Sequence, residues 1–438
     1  MTLTETRARV AAGSRATFRS FETRNFRVYF AGQAVSQTGN WLTRIGQTLL
    51  VLHLTGDGFA VGIVTACEFL PMLLFGAWAG LIADRSDKRR LLIIVQILAM
   101  LQSFAMAALA FMDRPPLAAI YAIALVGGCV FAFDFPTRRA FVVELVAEKD
   151  VTNAISLNTA VMNLARVVGP ALAGLLIATV GYAWCFTLDA FTYVAVLAGL
   201  FLIDPRQLRA APITAKAKGQ LRAGLRYARS VPNVWIPLVV VAIVGVLAYN
   251  FQVVVPLVVT HSYGGSVATF TLLFSVFSVG SLIGALAAAR RRTVGIPTVV
   301  GTCAAFAASM FVFAAVPSIG WAFPAILIVG WASTFFMTAA TAIVQISSAP
   351  VMQGRVSSLQ GIVIVGSTPI GAPLLGFICD RYGARAGLLV GGIAALVAAG
   401  WGWTANRNTR PAPARHGTTA SNVASVDQGA AFGSSAGG

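Results

Sequence analysis

Twelve apolar runs of about twenty residues or more follow one another along this chain, each long enough to cross the ~30 Å hydrocarbon layer of a bilayer. They occupy 26–52, 59–83, 91–112, 117–135, 156–179, 183–203, 234–260, 267–289, 296–316, 320–346, 356–379 and 385–404. In lipid the backbone must satisfy its own hydrogen bonds, so runs of this kind are expected to be helices. Strands of a membrane barrel would alternate apolar and polar residues, and these runs do not. The expected fold is an all-α, multi-pass integral membrane protein. Composition agrees: 11% of the 438 residues are charged and mean hydropathy is +0.79, against about 25% charged in soluble domains.

The net charge of +17 could suggest nucleic acid, but its placement argues for topology instead. Of the 32 Lys and Arg residues, 27 fall in the two tails and in alternate links on one side of the twelve runs. That asymmetry predicts a plasma-membrane protein with both termini cytoplasmic and anionic lipid headgroups as neighbours. The link Asp84–Arg90, with six charged residues in seven, is then a cytoplasmic turn between the second and third runs. The first run, behind an Arg-bearing tail without a small-residue cleavage site, reads as an uncleaved signal anchor. The five cysteines fall inside runs and form no C-x-x-C motif, so neither a disulfide framework, a metal site nor a cofactor is expected.

The basic link divides the runs six and six. The expected organisation is an N-tail (1–25), a first six-helix bundle (26–205), a link (206–232), a second bundle (233–404) and a disordered tail (405–438). Within the link, "LRAGLRYARS" puts Leu221, Leu225 and Ala228 on one face and Arg222, Arg226 and Arg229 on another, as in a helix lying in the interface. The halves echo each other: "GPALAGLLIATVG" (169–181) and "GAPLLGFICDRYG" (371–383) share the frame G-x4-G-x6-G, in the fifth and eleventh runs. Duplicated six-helix units are a plan of secondary transporters.

Charge inside a span is costly and marks function. Arg44, Glu68 and Arg166 are the firm cases and the candidates for proton coupling, and Glu68 is the one carboxylate near mid-depth. Counted from the outer ends of the first two runs, Arg44 and Glu68 lie at matching depth, fit for proton coupling or for a structural ion pair. Asp134 and Asp189 sit nearer run ends, where Asp134 can pair with Arg138 four residues on. Two polar stripes run at helical spacing: Gln33, Gln37, Asn40, Arg44 and Gln47 in the first run, and Thr334, Thr338, Thr341, Gln345 and Ser348 in the tenth. Facing lipid they would be costly, so they face protein or a water-filled cavity. Asn250 and Gln252, with Trp41, Phe251, Trp331 and Phe335, would suit an amphiphilic organic ligand. No H-x-x-x-H, G-x-S-x-G or G-x-x-x-x-G-K-[ST] occurs. An enzyme is therefore not expected, and transport driven by an ion gradient is.

"GLIADRSDKRR" resembles the signature between helices 2 and 3 of the major facilitator superfamily, with Ile82 where Leu is usual and Asp87 where Gly is usual. "DFPTRRAFVVELVAEKDVTNAISLN", "NLARVVGPALAGLL", "YNFQVVVPLVV" and "GRVSSLQG…PIGAPLLG" resemble the branch containing the enterobactin exporter and macrolide-efflux proteins. The resemblance implies twelve helices in two six-helix pseudo-repeats that alternate between inward-facing and outward-facing states. It also implies a cytoplasmic latch made of Gly80, Asp84, Arg85, Arg89 and Arg355, and a central cavity lined by helices 1, 4, 7 and 10. "ARVVGPALAG" is similar to the helix 5 motif of proton-coupled drug antiporters in Gly169, Pro170 and Gly174, with Ala165 and Ala173 replacing Gly. The fourth run, "LAAIYAIALVGGCVFAFDF", lacks the Arg that many such antiporters carry there. The function implied is export of drug-like compounds or siderophores by proton antiport, as a monomer. The alternatives are an importer or facilitator of a small metabolite, or a non-transporting sensor.

Overall fold

The computed structural model describes residues 18–209, 220–291 and 293–408. The N-tail before residue 18, the stretch 210–219 and the tail after residue 408 lie outside the described residues, as does the side chain of Leu221. The first half is built from α1 (Arg24–Thr55), α2 (Gly58–Arg85), α3 (Lys88–Ala110), α4 (Leu117–Glu144), α5 (Val151–Thr179) and α6 (Tyr182–Leu202). A short α7 (Gln220–Ser230) leads into the second half: α8 (Pro232–Leu247), α9 (Phe251–Leu257), α10 (Val267–Ala289), α11 (Ile296–Ala315), α12 (Ile319–Ser347), α13 (Gln353–Gly366), α14 (Thr368–Tyr382) and α15 (Ala384–Asn408).

Eleven described spans are long and apolar enough to cross a membrane, counting α8–α9 and α13–α14 as one each. The first run is the twelfth long helix, and its polar stripe keeps it below that apolar threshold. Helix starts follow local chemistry. Asp57 Oδ1 accepts hydrogen bonds from Phe59 N and Ala60 N at the head of α2, Asp87 caps α3 through Arg90 N, and Ser266 caps α10 through Thr269 N. In α7, Arg222, Arg226 and Arg229 are exposed while Gly224 and Ala228 are buried.

The repeated glycine frame has a spatial reading. Its first members press a neighbour in their own half, where added β-carbons would meet Trp41 Cβ at 2.3 Å for Gly169 and Val246 O at 1.8 Å for Gly371. Its second members face the other half, Gly174 meeting Thr271 Oγ1 at 1.9 Å and Gly376 meeting Gly58 O at 2.1 Å. Its third members, Gly181 (φ 95°) and Gly383 (φ 92°), end the helices in a conformation that a side chain resists. Two seams thus join the halves, α2 against α14 and α5 against α10.

Three boundaries differ from the sequence reading. The fourth helix continues to Glu144, so Arg138 lies inside it; its charge is neutralised within the fold, and an apolar count stops too early. The seventh run breaks at Ala248–Asn250, where Asn250 Nδ2 donates to Val246 O at 2.9 Å and satisfies a carbonyl freed by the break. The eleventh run breaks at Ser367, because Pro369 at the start of α14 has no N–H to continue the ladder.

Candidate functional site

The first half holds a polar cavity lined by Asn40, Thr43, Arg44, Gln47, Glu68, Gln96, Gln102, Asp134, Arg138 and Tyr193, with Phe131 and small residues filling the gaps. Because α1 and α2 are antiparallel and joined by a short turn, residues equidistant from that turn come level. Arg44 Nε donates to Glu68 Oε1 at 2.6 Å, and its guanidinium sits over the rings of Trp41 and Phe69 at 5.4 and 5.3 Å. One turn towards the basic end of the bundle, Arg138 Nη2 lies 2.7 Å from Asp134 Oδ2, while Gln96 Nε2 donates to Asp134 Oδ1 at 2.6 Å. Arg138 Nη1 donates to Gln33 Oε1. Each cation therefore has its carboxylate, and the amides of the α1 stripe supply the remaining polar contacts.

The candidates drawn from sequence separate into groups. Asn40, Arg44, Gln47 and Glu68 meet in this cavity, while Gln33 is buried behind it and Gln37 is partly exposed. In the second half, Thr338 lines a small separate cavity with Phe335 and Arg291. Thr341 Oγ1 accepts from Gln360 Nε2 at 3.0 Å, the hydroxyl of Thr334 is buried without a partner, and Gln345 is exposed. Asn250 sits in the break between α8 and α9, with Gln252 half-buried beside it. Arg166 lies apart from Glu68, over the ring of Phe277 at 5.6 Å.

Sequence reasoning missed Gln96, Gln102 and Tyr193 as cavity residues, and placed Asp189 too near a helix end. Asp189 is fully buried and accepts from Thr43 Oγ1 at 2.6 Å, Ser103 Oγ at 2.8 Å and Thr192 Oγ1 at 3.3 Å, tying α1, α3 and α6 together. Two of those three partners, Thr43 and Ser103, are on other helices, so sequence spacing shows only the contact with Thr192 three residues on.

The charged link at the basic end is mostly bound into the first half. Lys88 Nζ lies 2.8 Å from Glu144 Oε1 and both are nearly buried. Arg89 Nε donates to Leu200 O at 2.8 Å, satisfying a carbonyl left free at the end of α6. Arg85 is exposed, and Asp84 is half-buried. Arg355 covers Gly224 of α7 with its backbone and Cβ, and its Nη1 lies 3.4 Å from Met352 Sδ. Gly80, placed in the latch by the resemblance, has no close neighbour in this conformation: a β-carbon there, or at Gly354 or Gly361, would meet nothing within 4 Å.

At the far end the same two helices are locked together. Asp380 Oδ1 accepts from Gly58 N and Oδ2 from Phe59 N, both at 2.7 Å, so a carboxylate of the second half caps a helix of the first. Asp57 Oδ1 shares the Phe59 donor. The hydroxyl of Ser275 bridges the other seam to Val167 O at 2.9 Å. The halves are thus in backbone contact at the far end, while Gly80, Gly354 and Gly361 have no close neighbour at the basic end. Asp380→Asn is expected to shift the closed-to-open ratio about fivefold towards open, since the charge–dipole part of such a cap is worth about 1 kcal/mol. Spin-label distances between Leu54→Cys and Tyr382→Cys, on the exposed ends of the two halves, measure that ratio; an unchanged distribution rejects the cap as a closing contact.

Comparison with known proteins gives the same picture. The family model described as "Transmembrane secretion effector" matches residues 15–412. The chain is 32% identical to the staphyloferrin A transporter of Staphylococcus aureus over 171 residues, 39% of this chain and 43% of that protein. It is 21% identical to macrolide efflux protein A of Streptococcus pyogenes over 84% of this chain and 92% of that one. Against the enterobactin exporter of Escherichia coli O1:K1 the figures are 24%, 80% and 84%. The crystal structure of a bacterial homologue of the lysosomal transporter Spinster, inward-facing and occupied, superposes with a TM-score of 0.66 at 15% identity. It covers 91% of this chain and 99% of its own, which is a likeness of fold alone.

Proposed function

We propose that this chain, which belongs to the transmembrane secretion effector family of major facilitator transporters, exports small amphiphilic organic molecules by proton antiport with alternating access. The orientation follows the positive-inside rule, with both termini and the basic links in the cytoplasm. The conformation described is then open to the cytoplasm and sealed outside. The observation that carries the reading is a charged pair, Arg44 and Glu68, set in a cavity wall of amides and aromatic rings rather than in a dry seam. The export direction is supported by relatives named for efflux and export.

Glu68 is the proposed proton carrier. It lines the polar cavity beside Arg44, and a cargo that draws Arg44 away leaves its carboxylate free to exchange a proton. Asp84, with Arg85 and Arg355 at the basic end, is proposed to form the cytoplasmic latch. The antiparallel register that sets Gly58 against Gly376 and Leu73 against Gly366 brings Asp84 level with the start of α13.

The test is uptake into inside-out vesicles under an imposed pH gradient, across a panel of dyes, macrolides and siderophores. Saturable uptake that collapses with the gradient is expected; no movement of any compound leaves the sensor reading standing. In Glu68→Gln, gradient-driven export should fall at least tenfold while substrate exchange persists. Normal export by that variant removes Glu68 from the coupling step. Loss of folding that Arg44→Gln rescues would make the pair structural.

A further inference from the structure

Among the described residues, the acidic and basic side chains at depth inside the bundle have partners of opposite charge or hydroxyl donors, with one exception. Arg44 has Glu68, Arg138 has Asp134, and Asp189 has three hydroxyl donors. Arg166 has no carboxylate within ion-pair distance among the described residues, and its Nε is buried without a hydrogen-bond partner. It is the sixteenth of 29 residues in α5, some 20 Å from either end of that helix. An unpaired guanidinium at that depth is costly. The ring of Phe277 beneath it, at 5.6 Å, offsets only part of that cost.

The surroundings are aromatic and span both halves. Trp41 packs its Cβ on Gly169, one turn along α5 from Arg166, and its ring lies 6.1 Å from Phe274. The ring of Phe277 lies tilted against Phe251 with centroids 4.7 Å apart, and Phe251 in turn meets Tyr249 edge-on at 5.5 Å. Tyr249 and Arg44 are close enough to act on Arg166 electrostatically, and neither supplies a negative charge. A cation left unneutralised against flat apolar rings has the chemistry that recognises a planar anion: bidentate hydrogen bonds to the charged group and stacking for the rest.

We infer that Arg166, with the wall formed by Trp41, Phe274 and Phe277, is the subsite for the anionic group of an aromatic, amphiphilic cargo. This rests on the export reading in taking the ligand as cargo. An anionic phospholipid offers the same charge, but its headgroup sits at the bilayer surface and Arg166 at mid-depth. Because the wall draws on α1, α5 and α10, it is complete only while the far-end seams are closed, so cargo binding would favour the conformation described.

The test uses two xanthene dyes of the same shape and opposite charge, fluorescein and rhodamine 123. Binding to the full chain in zwitterionic-lipid nanodiscs is read by fluorescence polarisation. Fluorescein is expected to bind at least tenfold more tightly than rhodamine 123. Arg166→Gln should erase that preference, and Arg166→Lys, which keeps the charge without the fork, should retain part of it. Equal affinities in the parent protein overturn the subsite without recourse to any variant. So does Arg166→Gln that folds and keeps the preference, and so does displacement of fluorescein by phosphatidylglycerol added to the nanodiscs. Binding needs no gradient, so the two readings part cleanly. Charge-selective binding with no gradient-driven movement in vesicles overturns export and keeps the subsite, while movement of both dyes alike overturns the subsite and keeps export.

Discussion

Gly376→Leu is expected to abolish gradient-driven export while leaving a folded protein in the membrane. A β-carbon at Gly376 would lie 2.1 Å from Gly58 O and 2.6 Å from Gly58 C, both backbone atoms of the opposite half. Backbone cannot rotate away as a side chain can, so α2 and α14 must separate at the far end. Gly62 makes the same approach in reverse, its β-carbon position 2.5 Å from Ala372 O. Small residues that bring helices into backbone contact are how membrane bundles gain dispersion energy without a hydrophobic driving force. The expected result is a protein held open at the far end, with export below a tenth of the parent rate. Ala372→Cys gives the structural readout: Ala372 is fully buried, so a membrane-impermeant maleimide should label that site only in the Gly376→Leu background. Normal export with no labelling would mean that this seam does not seal the bundle.

Glu144→Gln should give the largest stability loss of any single polar substitution in the first half. Lys88 and Glu144 are about nine-tenths buried, 2.8 Å apart, beside a cluster of Phe26, Tyr29, Leu92, Phe141 and Leu145. Removing one partner leaves the other charge desolvated, at a cost of about 3–5 kcal/mol. Replacing both, as Lys88→Met with Glu144→Leu, should restore most of it, because apolar side chains of similar volume suit that site. Thermal unfolding of the purified variants in detergent checks the order. A double variant no more stable than the single one would show that the pair contributes more than its mutual neutralisation.

How much of this could be read from the chain depends on how far each feature reaches. Arg44 and Glu68 were legible because one short turn fixes the register of two antiparallel helices, and depth can be counted from it. The glycine frame was legible because duplication repeats the same packing task in both halves. The Asp134–Arg138 pair was legible from its four-residue spacing, but not its place inside α4, since charges at a run's edge look like a link. Asp380 was hidden for another reason. It stands at the end of an apolar run as a helix-terminal acid would, and its partners, Gly58 N and Phe59 N, lie more than 320 residues away. No local pattern encodes such a contact. The breaks at Asn250 and Ser367 were partly visible in Pro256 and Pro369, yet apolar length alone reads through them.

Those two interruptions lie side by side. Gly245 of α8 presses on Ser367, and Gly371 of α14 presses on Val246 and Asn250. Each of the first half's helices runs unbroken from end to end. The second half therefore contains a crease and the first does not. At the α8–α9 break, bending meets less resistance because Asn250 has taken up the freed carbonyl of Val246. Swinging α9 and α14, of 7 and 15 residues, also displaces far less lipid than tilting six whole helices. The work of exposing the outer face is then set mainly by the contacts at Gly58, Gly62 and Asp380, and only weakly by the thickness or stiffness of the surrounding bilayer.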